Sequence, residues 1–417
     1  MSWSADGPAP SLWLRRPGPA REVDYAVVGG GVVGLSTAYW LARDGHQPLL
    51  LEADDLAQRA SGRNAGFLLS GVARVVERLS DGEDLGGTLE MWRATVENRE
   101  LVRRELIDSG RVDCDFQPEG SWMATVGDPA PLEAACEVLR REGFDAHWKS
   151  RAEARAACGS PAVAGGIFQP RDGGLDPLRL CRGMVAAGGF EVRTSFRVRA
   201  VEAVGERVRL STDGDAVLAR RVILALNAYA PNLLPALGGW VRPVRAQVLA
   251  TAPGERTVSG VWYLDEGYEY LRQLADGTFL LGGRRMEAES AERGCAEVPT
   301  GTVQGALEAF LRQNFPSLVD RPVVHRWAGT MAFTRSGLPL LGRLAAAPAA
   351  IYAAGFNGHG LSLGFWAGRH LASAATGRAE LADFPLQARP AADQPSAESA
   401  VAVSASVDVA EGTELGA

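Results

Sequence analysis

The stretch Asp24-Tyr25-Ala26-Val27-Val28-Gly29-Gly30-Gly31-Val32-Val33-Gly34, with Pro48-Leu49-Leu50-Leu51-Glu52 after it, decides the first unit of the fold. The apolar run before the glycines predicts a buried strand, and Leu35 to Arg43 predicts a helix. Gly29 permits a tight turn, Gly31 lets backbone approach a pyrophosphate, and Gly34 lets the helix pack closely on the strand. Val33 stands in the same helix start, whose free N–H groups and partial positive charge favour phosphate. Glu52, 23 residues after Gly29, is placed for a carboxylate to hold ribose hydroxyls. A glycine-rich turn with no ligand is the plain alternative. The strand before, the helix after and the acid at this distance favour an adenine dinucleotide site.

At 417 residues the chain can bury two cores, and 46% apolar with 22% charged residues is ordinary for a globular protein. A net charge of -7 speaks against general nucleic-acid binding, which needs a basic face. Cys114, Cys136, Cys158, Cys181 and Cys295 are scattered and have no CxxC spacing. That pattern fits free thiols in a reducing cytoplasm, with no metal site and no disulfide framework. No apolar run is long enough for an integral membrane segment, and no signal-peptide pattern opens the chain.

Helical spacing is read over 88–108, 131–142, 177–187 and 303–315, and strands over 121–126, 191–203, 207–211 and 221–226. Strands and hairpins follow from Val241 to Gly282, with Asp276-Gly277 as a turn. A last strand, Ile351 to Ala354, leads into Gly355-Phe356-Asn357-Gly358-His359-Gly360 and a helix to about Ala375. The β-rich stretch interrupts a parallel α/β pattern that resumes near the C-terminus. The expected fold class is therefore α/β, a Rossmann-type domain with a discontinuous mixed β-sheet domain. The expected division is an arm at 1–20, a cofactor domain from 21–87, 159–240 and 326–387, a substrate domain from 88–158 and 241–325, and a disordered tail at 388–417.

The opening motif alone suits NAD or FAD. Four further segments narrow the choice: Ala60-Ser61-Gly62-Arg63-Asn64-Ala65-Gly66-Phe67, Leu226-Asn227-Ala228-Tyr229-Ala230, Leu280-Leu281-Gly282-Gly283-Arg284, and Gly337-Leu338-Pro339-Leu340-Leu341-Gly342 ahead of the Gly355 turn. In this order the set resembles the D-amino-acid-oxidase-like FAD oxidoreductases, among them glycine oxidase, sarcosine oxidase and γ-glutamylputrescine oxidoreductase. The resemblance spans about residues 20 to 380, and the Ser-Gly-Arg-Asn loop most resembles the last of these. It implies FAD as cofactor and oxidation of the C–N bond of an amine or amino acid by hydride transfer to flavin N5, the imine then hydrolysing. Oxygen or another electron acceptor would complete the turnover.

By the same resemblance, Ser61, Gly62, Arg63 and Asn64 run beside the pyrophosphate and flavin, with Arg63 near negative charge. Val198 touches adenine through its backbone, or is an ordinary strand valine; Asn227 lies near the cofactor, or caps the strand end. Gly355, Asn357, Gly358, His359 and Gly360 present the last helix start to the flavin N1–C2=O edge. His359 adds a cation or hydrogen bond there, or is only a turn residue; with Arg63 it is the catalytic candidate. Tyr270, Trp327, Met331 and Phe333 are the substrate-facing candidates; Tyr268, Tyr270, Trp262 and Phe333 form an aromatic box around an amine, or are sheet core, the commoner place for aromatics at these spacings.

Three places where relatives carry a cation for the substrate carboxylate match Met331, Ser362 and Leu69 here. This points to an amine, or to an amino acid whose carboxylate is distant or modified, unless Arg272 or Arg335 supplies the charge. Met331 also stands near the point where sarcosine oxidase tethers its flavin through cysteine, so FAD is expected to be non-covalent. By the same resemblance, the lysine that assists oxygen reduction in sarcosine oxidase would fall near Leu280, so fast oxygen use would need His359 or a local arginine, and otherwise the protein is a slow oxidase or a dehydrogenase. A flavoprotein without turnover, acting as a redox or assembly partner, is the competing reading.

Overall fold

A computed structural model describes residues 20–72, 85–381, 384 and 386. The expected arm, but for residue 20, and the expected tail lie outside the described residues. Five parallel strands form the centre of the first sheet, in the order Ala347–Ala354, Ala216–Leu224, Arg21–Val28, Pro48–Leu51 and Glu191–Arg193. Leu340–Leu344 pairs antiparallel at one edge, and the ribbon Ala200–Val204 with Arg207–Ser211 hangs from the first half of Ala216–Leu224.

Successive residues of these strands point to opposite faces, and both faces are covered. Val27, Leu50, Ile223 and Ile351 enter one core, beneath helices Val32–Arg43, Leu85–Val102, Pro177–Gly188 and Gly360–Ala375. Val28, Leu49, Val222 and Tyr352 enter the other, beneath the antiparallel ribbon. Burying one such Val, Leu or Ile stabilises the fold by about 1.5–3 kcal/mol, so the apolar runs settle the sheet.

The second sheet holds eight strands in the order Val323–Phe333, Arg242–Thr251, Phe279–Gly283, Glu269–Gln273, Val261–Leu264, Ser121–Thr125, Gly165–Gln169 and His147–Lys149. It is mixed, since Val261–Leu264 runs parallel to Ser121–Thr125 and the remaining pairs are antiparallel. Trp262 stacks on Trp122 in its core, with ring centroids 4.5 Å apart.

The expected domain limits need correction at three places. Gly165–Gln169, assigned by sequence to the cofactor domain, pairs in the second sheet. Val323–Phe333 is one strand of that sheet and is not divided at 325. The helix read over 88–108 runs Leu85–Val102 and continues as a π-helical turn, Arg103–Ile107; it buries Met91, Ala94 and Leu101 in the first core, not the second. Asn98 fastens it to the last helix, accepting hydrogen bonds from the Phe365 and Trp366 N–H groups. Strand pairing and helix docking join segments far apart in the chain, which local periodicity does not encode.

Candidate active site

The glycine turn leaves the first strand as expected. Gly29 has φ +113°, and a Cβ there would lie 2.4 Å from the Ala225 carbonyl oxygen. A Cβ on Gly34 would lie 2.0 Å from the Gly29 carbonyl oxygen, so helix and turn are in backbone contact. Gly31 differs: its φ is −84°, and an added Cβ would meet only Ser61, with Oγ at 3.0 Å. The Glu52 carboxylate accepts the Gly30 N–H at 2.6 Å and the Asp54 N–H at 2.9 Å. The Val32 N–H at the helix start donates to Ser61 Oγ at 2.9 Å.

The Ser61 loop is a short helix, Ala60–Arg63, tied by its own side chains. A Cβ on Gly62 would lie 2.3 Å from the Ala57 carbonyl oxygen. Asn64 donates to the Ala60 and Ser61 carbonyls and accepts the Gly66 N–H. Arg63 donates to the carbonyls of Gln58 at 2.6 Å and Ala328 at 3.0 Å, with Glu297 at 3.6 Å. Its guanidinium thus clamps the loop to strand Val323–Phe333, and the residue also lines the cavity described below. Trp327 stands outside that lining: its indole N–H donates to the Arg63 carbonyl at 2.8 Å.

The carboxyl ends of three parallel strands lead into facing loops, the place where open α/β sheets bind ligands. Asn227, at φ +43°, accepts the N–H groups of Gly355 at 3.1 Å and Phe356 at 3.3 Å. Asn357, at φ +51°, accepts the Thr334 N–H at 2.9 Å and donates to the Gly355 carbonyl at 2.6 Å. Two asparagine side chains therefore fix the turn that opens helix Gly360–Ala375. His359 is buried at the N-cap of that helix. Gly364 and Gly368 let the helix lie against Val32 and Ser36: Cβ atoms there would come within 2.9 and 2.5 Å of those side chains. The two helix starts are thereby brought together.

Between them opens a cavity of about 420 Å³, within the size range of ligand sites. One end is lined by Gly31, Val32, Val33, Ser61 and Asn64. Asn227, Asn357, Gly358, His359 and Gly360 line its middle wall, with Met331 opposite, whose sulfur a Cβ on Gly358 would meet at 3.4 Å. Phe67, Tyr263, Tyr268, Tyr270 and Phe333 make an aromatic wall. Burial pushes the Tyr263 phenol up to about 12 and raises that of Tyr270, so both are neutral at ordinary pH. Trp262, stacked in the sheet core, is not part of this wall.

Of the substituted cation positions, Met331 and Ser362 line the cavity, whereas Leu69 is buried behind it with Phe67 and Val261. Arg272 cannot supply the missing charge: it donates to the carbonyls of Ala65, Gly66 and Leu175 and to Gln117. Burial lowers its guanidinium pKa to about 10. Arg335 does line the cavity, and so do Arg242 and Arg285, which sequence reading missed together with Tyr263 and Thr334. Only one signal was available, the pair Arg284-Arg285 after the glycines of the hairpin. Pattern cannot tell that Arg284 is held by Glu269 and Glu287 while Arg285 faces the cavity. Val198 is half-buried and outside the cavity lining; its segment passes Glu52, whose carbonyl accepts the Phe196 N–H at 2.8 Å.

A parallel sheet with a dinucleotide turn, covered by helices on one face and an antiparallel ribbon on the other, and completed by a mixed sheet that walls the cavity, is the architecture of a dinucleotide-dependent oxidoreductase. The chain belongs to the FAD dependent oxidoreductase family, whose pattern matches residues 24–374. It is similar to a gamma-glutamylputrescine oxidoreductase of Escherichia coli (strain K12), 29% identical over 86% of this chain and 85% of that one. A probable oxidoreductase OrdL of Rhizobium meliloti (strain 1021) is 26% identical over 88% of this chain and 86% of its own length. In fold the chain resembles glycine oxidase from Bacillus cereus ATCC 14579, with a TM-score of 0.75 at 18% identity, covering 88% of this chain and 99% of that one.

FAD is the cofactor, and the residues present fit it. Space above Gly31 is closed only by the Ser61 hydroxyl, the cavity runs on from there past a second helix start, and no cysteine lines it. Among the described residues, no helix is long and apolar enough to cross a membrane.

Proposed function

We propose that this oxidoreductase oxidises the C–N bond of an amine or amino acid to an imine, which water then hydrolyses. The observation that carries this reading is the continuity of one cavity from the glycine turn, past the Gly355–Gly360 loop, to a wall of tyrosines and arginines. The names of the relatives, a gamma-glutamylputrescine oxidoreductase and a glycine oxidase, support the same class.

When bound, FAD supplies the hydride acceptor that amino-acid side chains lack. The chain's own part is positioning. The starts of helices Val32–Arg43 and Gly360–Ala375, with the Ser61 hydroxyl that the Val32 N–H holds, would face phosphate and the electron-rich edge of the flavin. Asn227 and Asn357 keep the second of these starts in place, and Arg63 with Trp327 keeps the Ser61 loop against the second sheet. His359 would hydrogen-bond at the flavin edge, and neutral Tyr263 and Tyr270 would exclude water beside the substrate carbon. Met331 at the wall supports FAD held without a covalent bond, because a thioether tether needs a cysteine there. The free thiols of all five cysteines support a reducing, cytoplasmic setting.

The test is the visible spectrum of the purified holoenzyme, without oxygen, before and after adding amines and amino acids. Loss of the flavin band with one class is expected and would define the substrate group. A yellow protein that none of them bleaches would favour the flavoprotein without turnover, and a colourless protein that cannot be loaded with FAD would overturn the reading.

A further inference from the structure

Most arginines of the chain are spent on partners. Among the described residues, those whose guanidinium has neither a hydrogen bond nor an ion pair are Arg140, Arg151, Arg242, Arg285 and Arg335. Arg140 and Arg151 are exposed on helices remote in sequence from the cavity loops. The other three all line the cavity.

Two of them, half-buried Arg285 and exposed Arg242, gather about Phe333, and Arg335 is exposed nearby in sequence. Arg285 lies over the ring faces of Phe333 and Tyr268, 5.7 Å from each centroid. Arg242 is the register partner of Phe333 across the antiparallel pair, and Arg335 follows Phe333 by two residues. A guanidinium attracted to aromatic rings keeps N–H groups available, and a free guanidinium can receive a carboxylate through two hydrogen bonds. Among the described residues on the cavity lining the one acid is Glu266, and the charge of the fourth lining arginine, Arg63, is met by Glu297. Three cations against one lining carboxylate leave an excess of about two positive charges, so an anion is favoured there and a diamine dication is repelled.

Resting on the oxidoreductase reading above, we propose that the substrate is an amine carrying two carboxylates, with Arg285 anchoring one and Arg242 with Arg335 receiving the other. The missing cations at Met331, Ser362 and Leu69 then mean a relocated anion site, and Arg285 is its specificity residue.

The experiment titrates the holoenzyme with glutarate and with butyrate, which hold no nitrogen and cannot be oxidised. Binding is read from the flavin absorbance and by calorimetry. Glutarate is expected to bind at least about tenfold tighter than butyrate, since each hydrogen-bonded charge pair contributes on that scale. Arg285→Gln should weaken glutarate about tenfold or more with FAD content unchanged, and Arg140→Gln should change nothing. Equal binding of the two acids overturns the proposal, as does an Arg285→Gln protein that binds glutarate normally. If that variant instead loses FAD, the arginine serves the cofactor and the proposal also falls.

A second arm adds ethylamine, alanine, glutamate and N-carboxymethylalanine without oxygen. Faster bleaching by the two dicarboxylates supports the proposal. Equal bleaching by ethylamine overturns it but leaves the oxidoreductase reading standing. No bleaching by any of them, with the glutarate preference intact, counts against that reading and supports the anion site.

Discussion

Gly31 and Gly34 stand three residues apart in one motif, yet a methyl group would do different things at each. At Gly34 it meets backbone, the Gly29 carbonyl oxygen at 2.0 Å, and helix or turn must move. Gly34→Ala should cost at least about 1–3 kcal/mol of stability in the FAD-free protein, seen as a lower melting temperature. At Gly31 the methyl meets only the Ser61 side chain, and φ of −84° suits alanine. Gly31→Ala should leave the FAD-free protein within about 0.5 kcal/mol of wild type. It should nevertheless release FAD more readily, because the methyl fills the space above the helix start; equal FAD affinity in the two proteins would refute this role. Tyr263 carries a pH prediction. Burial raises its phenol from 10.0 to about 12 in the fold. The stability this contributes is fully present below pH 10.0 and is lost as pH rises through about 12. Alkaline titration followed by phenolate absorbance should show a late-ionising phenol that Tyr263→Phe removes.

Among the elements, the turn before the last helix depends most on side-chain hydrogen bonds. Asn357 sits at φ +51° and bridges Thr334 to Gly355, joining the second sheet to the turn. Asn357→Ala leaves a buried N–H and a buried carbonyl without partners in a left-handed position. It should destabilise by about 2–4 kcal/mol, from two unsatisfied groups at about 1–3 kcal/mol each with partial relaxation. The loss should be larger in the FAD-loaded protein than in the FAD-free one if the turn faces the cofactor, which paired melting curves would measure. The clamp of Arg63 and Trp327 acts likewise on the Ser61 loop, through backbone carbonyls and with no contribution of free charge.

At the scale of the molecule, two sheets must be held in one relation for the cavity to exist. One bridge is the buried group around Asp172. Its carboxylate accepts from the Ser70 N–H and hydroxyl, from the Ser121 hydroxyl at 2.6 Å and from Arg99 at 2.7 Å. Arg99 belongs to the helix packed on the first core and Ser121 to the second sheet. Asp172→Ala leaves the buried Arg99 guanidinium with only Ser70 and the partly exposed Glu100, and should cost up to about 3–5 kcal/mol. The unfolding midpoint should fall for both sheets together if the bridge couples them, and separate transitions would show that it does not. A second buried group, Arg245 with Glu292, Gln247 and Thr300, holds the segment that follows Arg285 against strand Arg242–Thr251.

The sequence by itself determined the parts whose cause is local. A glycine that must turn, an apolar run buried on both faces and a helix start after a glycine all depend on neighbours in the chain, so the turn at Gly29, the buried strands and the start of the last helix were legible. Tertiary structure alone decided where the charges go. Arg63 and Arg272 look like the available cations in sequence, but the fold gives each of them backbone carbonyls to hold. Arg335 was legible as a candidate charge, but Arg242 was not, and only the fold sets Arg242 opposite Phe333 and Arg285 over its ring. A guanidinium's role depends on which carboxylates and carbonyls come within hydrogen-bond reach, and those partners lie up to hundreds of residues away.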